Sequence, residues 1–218
     1  MLFENRIEGG KALAAELPPL TSDAPWLVLT IARSGIPVGC SLAKELRLPV
    51  DILFAARIPL IGQPHLGAGA ITITGDKLYN RQLLNSYGLK ESHFFSYETE
   101  VIDSLKKLAR EIRGSSLPPL VTGKNIILTD DGIASGYTML VALRCARKHG
   151  AKRIIVAVPV SSFAGYKLVD SECDDFVAIR ICSDPTFAID AYYNNGSVDK
   201  ERMAECVRIA RTEGIAAF

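Results

Sequence analysis

Short apolar runs and helical stripes alternate along this chain. Apolar residues dominate the runs Trp26–Ile31, Val50–Ala55, Asn125–Thr129, Arg153–Val158 and Phe176–Ile181, a pattern expected of strands buried on both faces. Between them lie helical patterns. Asn5–Leu17 sets Ile7, Leu13 and Leu17 among charges and alanines, and Pro18-Pro19 stops it. Pro37–Leu46 tolerates its proline in the first turn. Glu98–Arg113 repeats apolar residues through Val101, Ile102, Leu105, Leu108, Ala109 and Ile112. Ser135–His149 ends at Gly150, and Val198–Arg211 closes the series. Residues 58–97 are the least regular, with one exposed strand expected at Ala70–Thr74, where Ile and Thr alternate. Strands alternating with helices predict an α/β fold, an open and mainly parallel sheet with helices on both faces. Ligands of such sheets bind beyond the carboxyl ends of the strands, which selects the loops after Ile31, Ala55 and Thr129.

Composition narrows the function classes. A chain of 218 residues, 48% hydrophobic and 22% charged, suits one globular domain with a full core. The net charge of +1 supplies no basic field for a long nucleic acid. The five cysteines are odd in number, with no C-x-x-C and no metal-like Cys/His spacing, so free thiols in a reducing cytoplasm are expected. The N-terminus lacks the basic start and apolar core of a signal peptide. The uncharged stretch Ile58–Gly75 contains Pro59, Pro64 and four glycines and suits no membrane helix. No cysteine shows a sign of activation, and Ser34 sits in no Gly-x-Ser-x-Gly elbow, which argues against nucleophilic hydrolase chemistry.

The segment Asn125–Leu143, NIILTDDGIASGYTMLVAL, carries the chemistry. A buried strand ends at Asp130-Asp131, a loop of small residues follows, and an apolar-faced helix begins. Small residues let backbone N–H groups approach a phosphate, and the helix start adds unpaired donors and a positive dipole end. Ser135 and Thr138 add hydroxyls. Two carboxylates would repel that phosphate but suit sugar hydroxyls, or a divalent cation reached through water. A phosphate site beside a diol site describes a ribose 5-phosphate pocket. Two acids before a helix also serve as plain caps; the strand, acid pair and small loop in register favour the pocket.

LTDDGIASGYT resembles the phosphoribosyl-pyrophosphate (PRPP) signature of the type I phosphoribosyltransferases. NRIEGGKALAAEL, ARSGIPVGCSLAKEL, LPVDILFAARI, GAGAITI, KRIIVAVPV and PTFAIDAYY resemble blocks of a subfamily of predicted phosphoribosyltransferases, so the likeness spans nearly the whole chain. It implies that Asp130 and Asp131 bind the ribose hydroxyls and that Ala134, Ser135, Gly136, Tyr137 and Thr138 hold the 5-phosphate. It places Arg33, Ser34 and Gly35 in a pyrophosphate loop, one that often has a strained or cis peptide, with Arg33 in a catalytic role. Arg57 could also reach the pyrophosphate. Residues 58–80 would form a mobile lid within the flexible loop of about 58–97, and residues of about 160–195 a hood over the base.

Of the hood aromatics, Phe187 is the one kept for the base, with Phe163, Tyr192 and Tyr193 expected in the core and Tyr166 and Lys167 as further candidates. Where the subfamily shows a Pro-Glu pair, this chain has Pro64-His65, and His65, like His93 and His149, is expected to be an ordinary solvated histidine. Hypoxanthine-guanine enzymes carry an Asp where this chain has Ala134, which argues against a 6-oxopurine acceptor.

The resemblance therefore implies a cytoplasmic enzyme that uses PRPP and Mg²⁺, the metal held by PRPP and water with no protein ligand cluster, and that transfers phosphoribosyl to a nitrogen acceptor. Neither nucleic acid nor membrane is an expected partner, and a homodimer stays open. A non-catalytic PRPP- or nucleotide-binding regulator is the alternative, and a phosphorylase-like exchange a third reading.

Overall fold

The computed structural model describes residues 2–21, 24–195 and 200–218. Through them the chain runs α1 (Arg6–Glu16), β1 (Trp26–Ala32), α2 (Ile36–Leu46), β2 (Val50–Leu60), β3 (Gln63–Thr72), β4 (Lys77–Tyr79) and α3 (Arg81–Ser86). It continues through α4 (Phe95–Arg113), β5 (Asn125–Thr129), α5 (Tyr137–Lys148), β6 (Arg153–Ser162), α6 (Phe163–Asp170), β7 (Asp175–Cys182) and α7 (Lys200–Thr212). Short 3-10 turns lie at Glu91–Phe94 and Ile189–Tyr192.

Among the described residues, seven strands form one sheet in the order β4-β3-β2-β1-β5-β6-β7. The pairs β2–β1, β1–β5, β5–β6 and β6–β7 are parallel, and β3 and β4 add on antiparallel. The central strands read as unbroken apolar runs because each face meets helices. Trp26, Val28 and Ala32 enter one core layer with residues of α2, α4 and α7, and Leu27, Leu29 and Ile31 enter the other with α5. Among the described residues no helix is long and apolar enough to cross a membrane.

Several expectations need correction. Residues 58–97 are not irregular. β2 runs on to Leu60, turns at Gly62 and pairs back through β3, with Arg57 opposite Ala70. This hairpin, α3 and the following turn share a core of Ile58, Leu60, Ala68, Ile71, Tyr79, Leu84 and Phe94. Ala70–Thr72 is buried, not exposed, because β4 and β2 flank β3 and α5 packs on it. β7 is half-buried, as the edge strand of its side. Helix α5 starts at Tyr137 rather than Ser135, leaving Ala134–Gly136 as loop. Helix α6 occupies part of the expected hood, and Phe163 at its start is exposed rather than core. The start expected for the last helix, Val198, lies outside the described residues.

Candidate active site

The parallel strands β1, β2 and β5 end at a cavity of about 950 Å³. Ala32, Arg33 and Ser34 line it from the end of β1, Ala56 and Arg57 from β2, and Asp130–Gly136 with Thr138 from the segment after β5. Of the three loops the sequence selects, those after Ile31 and Thr129 are at the cavity, but none follows Ala55, because β2 continues to Leu60. Arg57 instead lies within β2, where its guanidinium donates to the carbonyls of His65 (2.8 Å) and Pro64 across the hairpin.

The peptide Ala32–Arg33 is cis. Arg33 is exposed to the cavity, and its guanidinium has no hydrogen bond or ion pair among the described residues. Gly35 begins α2 tight against the acid pair. A Cβ there would stand 2.7 Å from Asp130 Oδ1 and 2.5 Å from the Ile31 carbonyl oxygen, so only glycine fits.

After β5 the loop is tied to the end of β6. The Ile133 N–H donates to the Val160 carbonyl (3.0 Å), and the Ser162 N–H donates back to Ile133 (2.8 Å). Gly136 caps α5 at φ 84° with no side chain of its own. The amides of the first helical turn, at Tyr137 and Thr138, therefore lack an intrahelical or side-chain acceptor, which is what an anion requires. The Ser135 and Thr138 side chains line the same cavity, whereas the Tyr137 ring turns into a neighbouring cleft with Lys77, Asn80 and Arg144.

The two acids differ. Asp130 Oδ1 accepts the Asp131 N–H at 2.8 Å. Burial, and then the neighbouring Asp131 charge, hold the Asp130 carboxyl well above the usual carboxylate range. Asp131 Oδ2 accepts from the Arg6 guanidinium at 2.7 Å, and the Tyr193 hydroxyl donates to the Asp131 carbonyl at 2.6 Å. Burial raises the Asp131 carboxyl and the Arg6 charge opposes that rise. Arg6 also reaches Asp190 and lies over the Tyr193 ring, 4.5 Å from its centroid. One buried guanidinium thus ties α1, the acid pair and the C-terminal turn together. Sequence reasoning missed Arg6, Asp190 and the cavity-lining Glu100 and Ser104 of α4.

Phe187, kept for base stacking, does not line the main cavity. It packs on Tyr192 with ring centroids 5.4 Å apart and faces a smaller cleft shared with Ala134, Phe163 and Pro185. Tyr193 is core, as expected, and also serves Asp131. Asp131 is committed to Arg6 and Asp130 to a backbone amide, so this donor set suits a hydrated cation met through water rather than direct metal ligation.

The family model described as a phosphoribosyl transferase domain matches residues 79–195, which include the acid pair and the small-residue loop. A Mycobacterium tuberculosis protein provisionally named a phosphoribosyl transferase is 35% identical over 172 residues, 76% of this chain and 38% of that protein. A ribose-phosphate pyrophosphokinase from Sulfurisphaera tokodaii is 38% identical over 81 residues, 35% of this chain and 28% of that one. The chain thus spans well under half the length of the curated relatives it matches. The crystal structure of TT1426 from Thermus thermophilus is similar, with a TM-score of 0.73, 27% identity, and coverage of 95% of this chain and 98% of that one.

Proposed function

Because this chain belongs to the phosphoribosyl transferase domain family, we propose that it transfers a 5-phosphoribosyl group from PRPP to a nitrogen acceptor, a nucleobase other than a 6-oxopurine. One observation carries the reading. An acid pair, half-buried at Asp130 and buried at Asp131, a small-residue loop at a helix start and two exposed arginines meet in one cavity beyond the strand ends.

In this reading the amides of Ser135–Thr138 and the Ser135 and Thr138 hydroxyls hold the 5-phosphate. Asp130 and Asp131 hold the ribose hydroxyls. Arg33, with Arg57 behind it, receives the pyrophosphate. The acceptor nitrogen attacks ribose C1, the bond from C1 to the pyrophosphate oxygen breaks, and the nitrogen gives its proton to solvent. Negative charge builds on the leaving oxygen, and a guanidinium aimed there before reaction stabilises it without reorganisation. Magnesium carried in with PRPP would supply further charge neutralisation at the pyrophosphate, and Asp130 is the residue that would meet it through water. The five unbridged cysteines support a reducing, cytoplasmic setting.

The regulator reading draws on a different observation, the commitment of Asp131 to Arg6. The exposed Arg33 at the cavity favours catalysis over it. Calorimetric titration with PRPP, with and without Mg²⁺, and pyrophosphate release across a panel of nucleobases separate the two. Saturable, magnesium-dependent binding with turnover on a base supports the transferase. Arg33→Ala should weaken PRPP binding by about 10- to 100-fold, the worth of a charge-assisted contact, while leaving the melting temperature unchanged. PRPP binding without turnover on any base, or binding of a nucleotide but not PRPP, selects the regulator, and binding of neither overturns both.

A further inference from the structure

We propose that Asp76, Cys145 and His149 form a zinc site that staples the β3–β4 turn to the C-terminal half of α5. The three side chains each offer a ligand atom, and these atoms lie within 4.8 Å of one another. The site shares no residue with the substrate cavity and is independent of the transfer reaction.

Cys145 and His149 are one helical turn apart, so their side chains share a face of α5. Cys145 Sγ and His149 Nδ1 are 3.6 Å apart. Zinc bonds of about 2.3 Å to sulfur and about 2.0 Å to nitrogen, at a tetrahedral angle, place those two atoms about 3.5 Å apart. The helix therefore already holds two ligands at the required separation. Asp76 comes from a segment some seventy positions earlier, carried to the helix by the packing of α5 on β3 and β4. A thiolate, an imidazole and a carboxylate are the donor set that suits this borderline ion better than magnesium or calcium. Three protein ligands leave the fourth position for water.

The surroundings act as an outer shell. Thr74 Oγ1 donates to Asp76 Oδ2 at 2.6 Å and lies 3.6 Å from Cys145 Sγ, and Lys148 Nζ donates to Asp76 Oδ1 at 2.5 Å. Thr74 fixes one carboxylate oxygen, as partners of metal-binding acids do, and Lys148 occupies the oxygen that a metal would take. His149 Nδ1 lies 2.8 Å from the Cys145 carbonyl oxygen. Binding exchanges that hydrogen bond, and the Lys148 contact, for coordination bonds. The Cys145 thiol gives its proton to solvent as the sulfur–metal bond forms. No electron is transferred.

Cobalt(II) titration of the purified, chelator-stripped full chain tests the site. The expected result is a thiolate-to-cobalt charge-transfer band in the near ultraviolet with visible bands of tetrahedral intensity. These should saturate at one cobalt per chain and bleach when zinc is added. Cys145→Ser should abolish the near-ultraviolet band, and the double variant Cys173→Ser/Cys182→Ser should keep it. Asp76 and His149 lie at the margin of the core, so Asp76→Asn and His149→Ala report even if Cys145→Ser fails to fold. Each should weaken cobalt binding by at least about tenfold. Zinc should raise the melting temperature of the wild-type chain and not that of Asp76→Asn. A wild-type chain that takes up no cobalt, or a band that survives in Cys145→Ser or at full strength in Asp76→Asn, overturns the proposal.

Discussion

Replacing Arg6 with Met removes the charge that faces Asp131 while keeping side-chain bulk. The side chains of Arg6 and Asp131 are each only 6% exposed, so solvent cannot take over the lost partner. Stripping one member from a buried ion pair costs about 3–5 kcal/mol, chiefly because the other charge stays buried and unpaired. The Asp190 side chain is 61% exposed, and its share is less than about 1 kcal/mol. Urea unfolding at pH 7 should therefore show Arg6→Met less stable by about 3–5 kcal/mol, a large fraction of the stability of a domain.

The double variant Arg6→Met/Asp131→Asn should recover most of that loss, since a neutral amide needs no counter-charge. Acid should help the single variant too. Without Arg6 the folded Asp131 binds its proton more tightly than the unfolded chain does. The deficit then grows as pH rises above the unfolded carboxyl value and shrinks as pH falls toward it. A cost under about 1 kcal/mol, the range of an exposed pair, or a double variant no more stable than the single one, would refute the buried-pair argument.

Three further outcomes are expected. Gly35→Ala drives a Cβ against Asp130 and the Ile31 carbonyl; it should cost about 1–3 kcal/mol and abolish PRPP binding in calorimetry, and a variant that binds normally would detach Gly35 from the site. Tyr193→Phe leaves the Asp131 carbonyl without its buried donor, a loss of about 1–3 kcal/mol in urea unfolding; an unchanged midpoint would contradict it. Burial raises the Asp51 carboxyl to about 6 despite the Arg113 guanidinium 3.2 Å away. Folded Asp51 thus holds its proton more tightly than unfolded, and stability should fall by on the order of 2–3 kcal/mol as pH rises from 4 to 7. Asp51→Asn should flatten that slope, and an equal slope in both proteins would assign it elsewhere.

What the sequence made legible follows from locality. The β5 strand, the acid pair and the small loop are contiguous, and their order alone locates the cavity. The hairpin after Ala55 was hidden because its glycines and prolines read as breakers. Gly67 and Gly69 are there for close approach instead: a Cβ at Gly69 would stand 2.1 Å from the Leu78 carbonyl oxygen, and one at Gly67 would strike the Arg57 stem. Pro59 sits where the β2–β3 register shifts. Arg6 gave no local signal, since its partner Asp131 is 125 positions away. The Cys145–His149 pair reads as no metal spacing in the sequence, because its third member, Asp76, reaches it only through tertiary packing.

The central pairing of the sheet bears on the order in which the molecule assembles. Trp26 aligns with Asn125, so β1 waits for nearly a hundred further residues before its second neighbour exists. β2, β3 and β4 are consecutive, and they need only tight turns to join. Closing a long loop costs more chain entropy than closing a short one, and slow folding tracks such distant contacts. The hairpin wing is thus placed to form as an early local unit. The candidate cavity, which needs β1 beside β5 and then Arg6 against Asp131, belongs to the last events. In pulse-labelled hydrogen exchange during refolding, amides of residues 63–72 should gain protection before those of residues 125–129, and competence to bind PRPP should appear only with the second group.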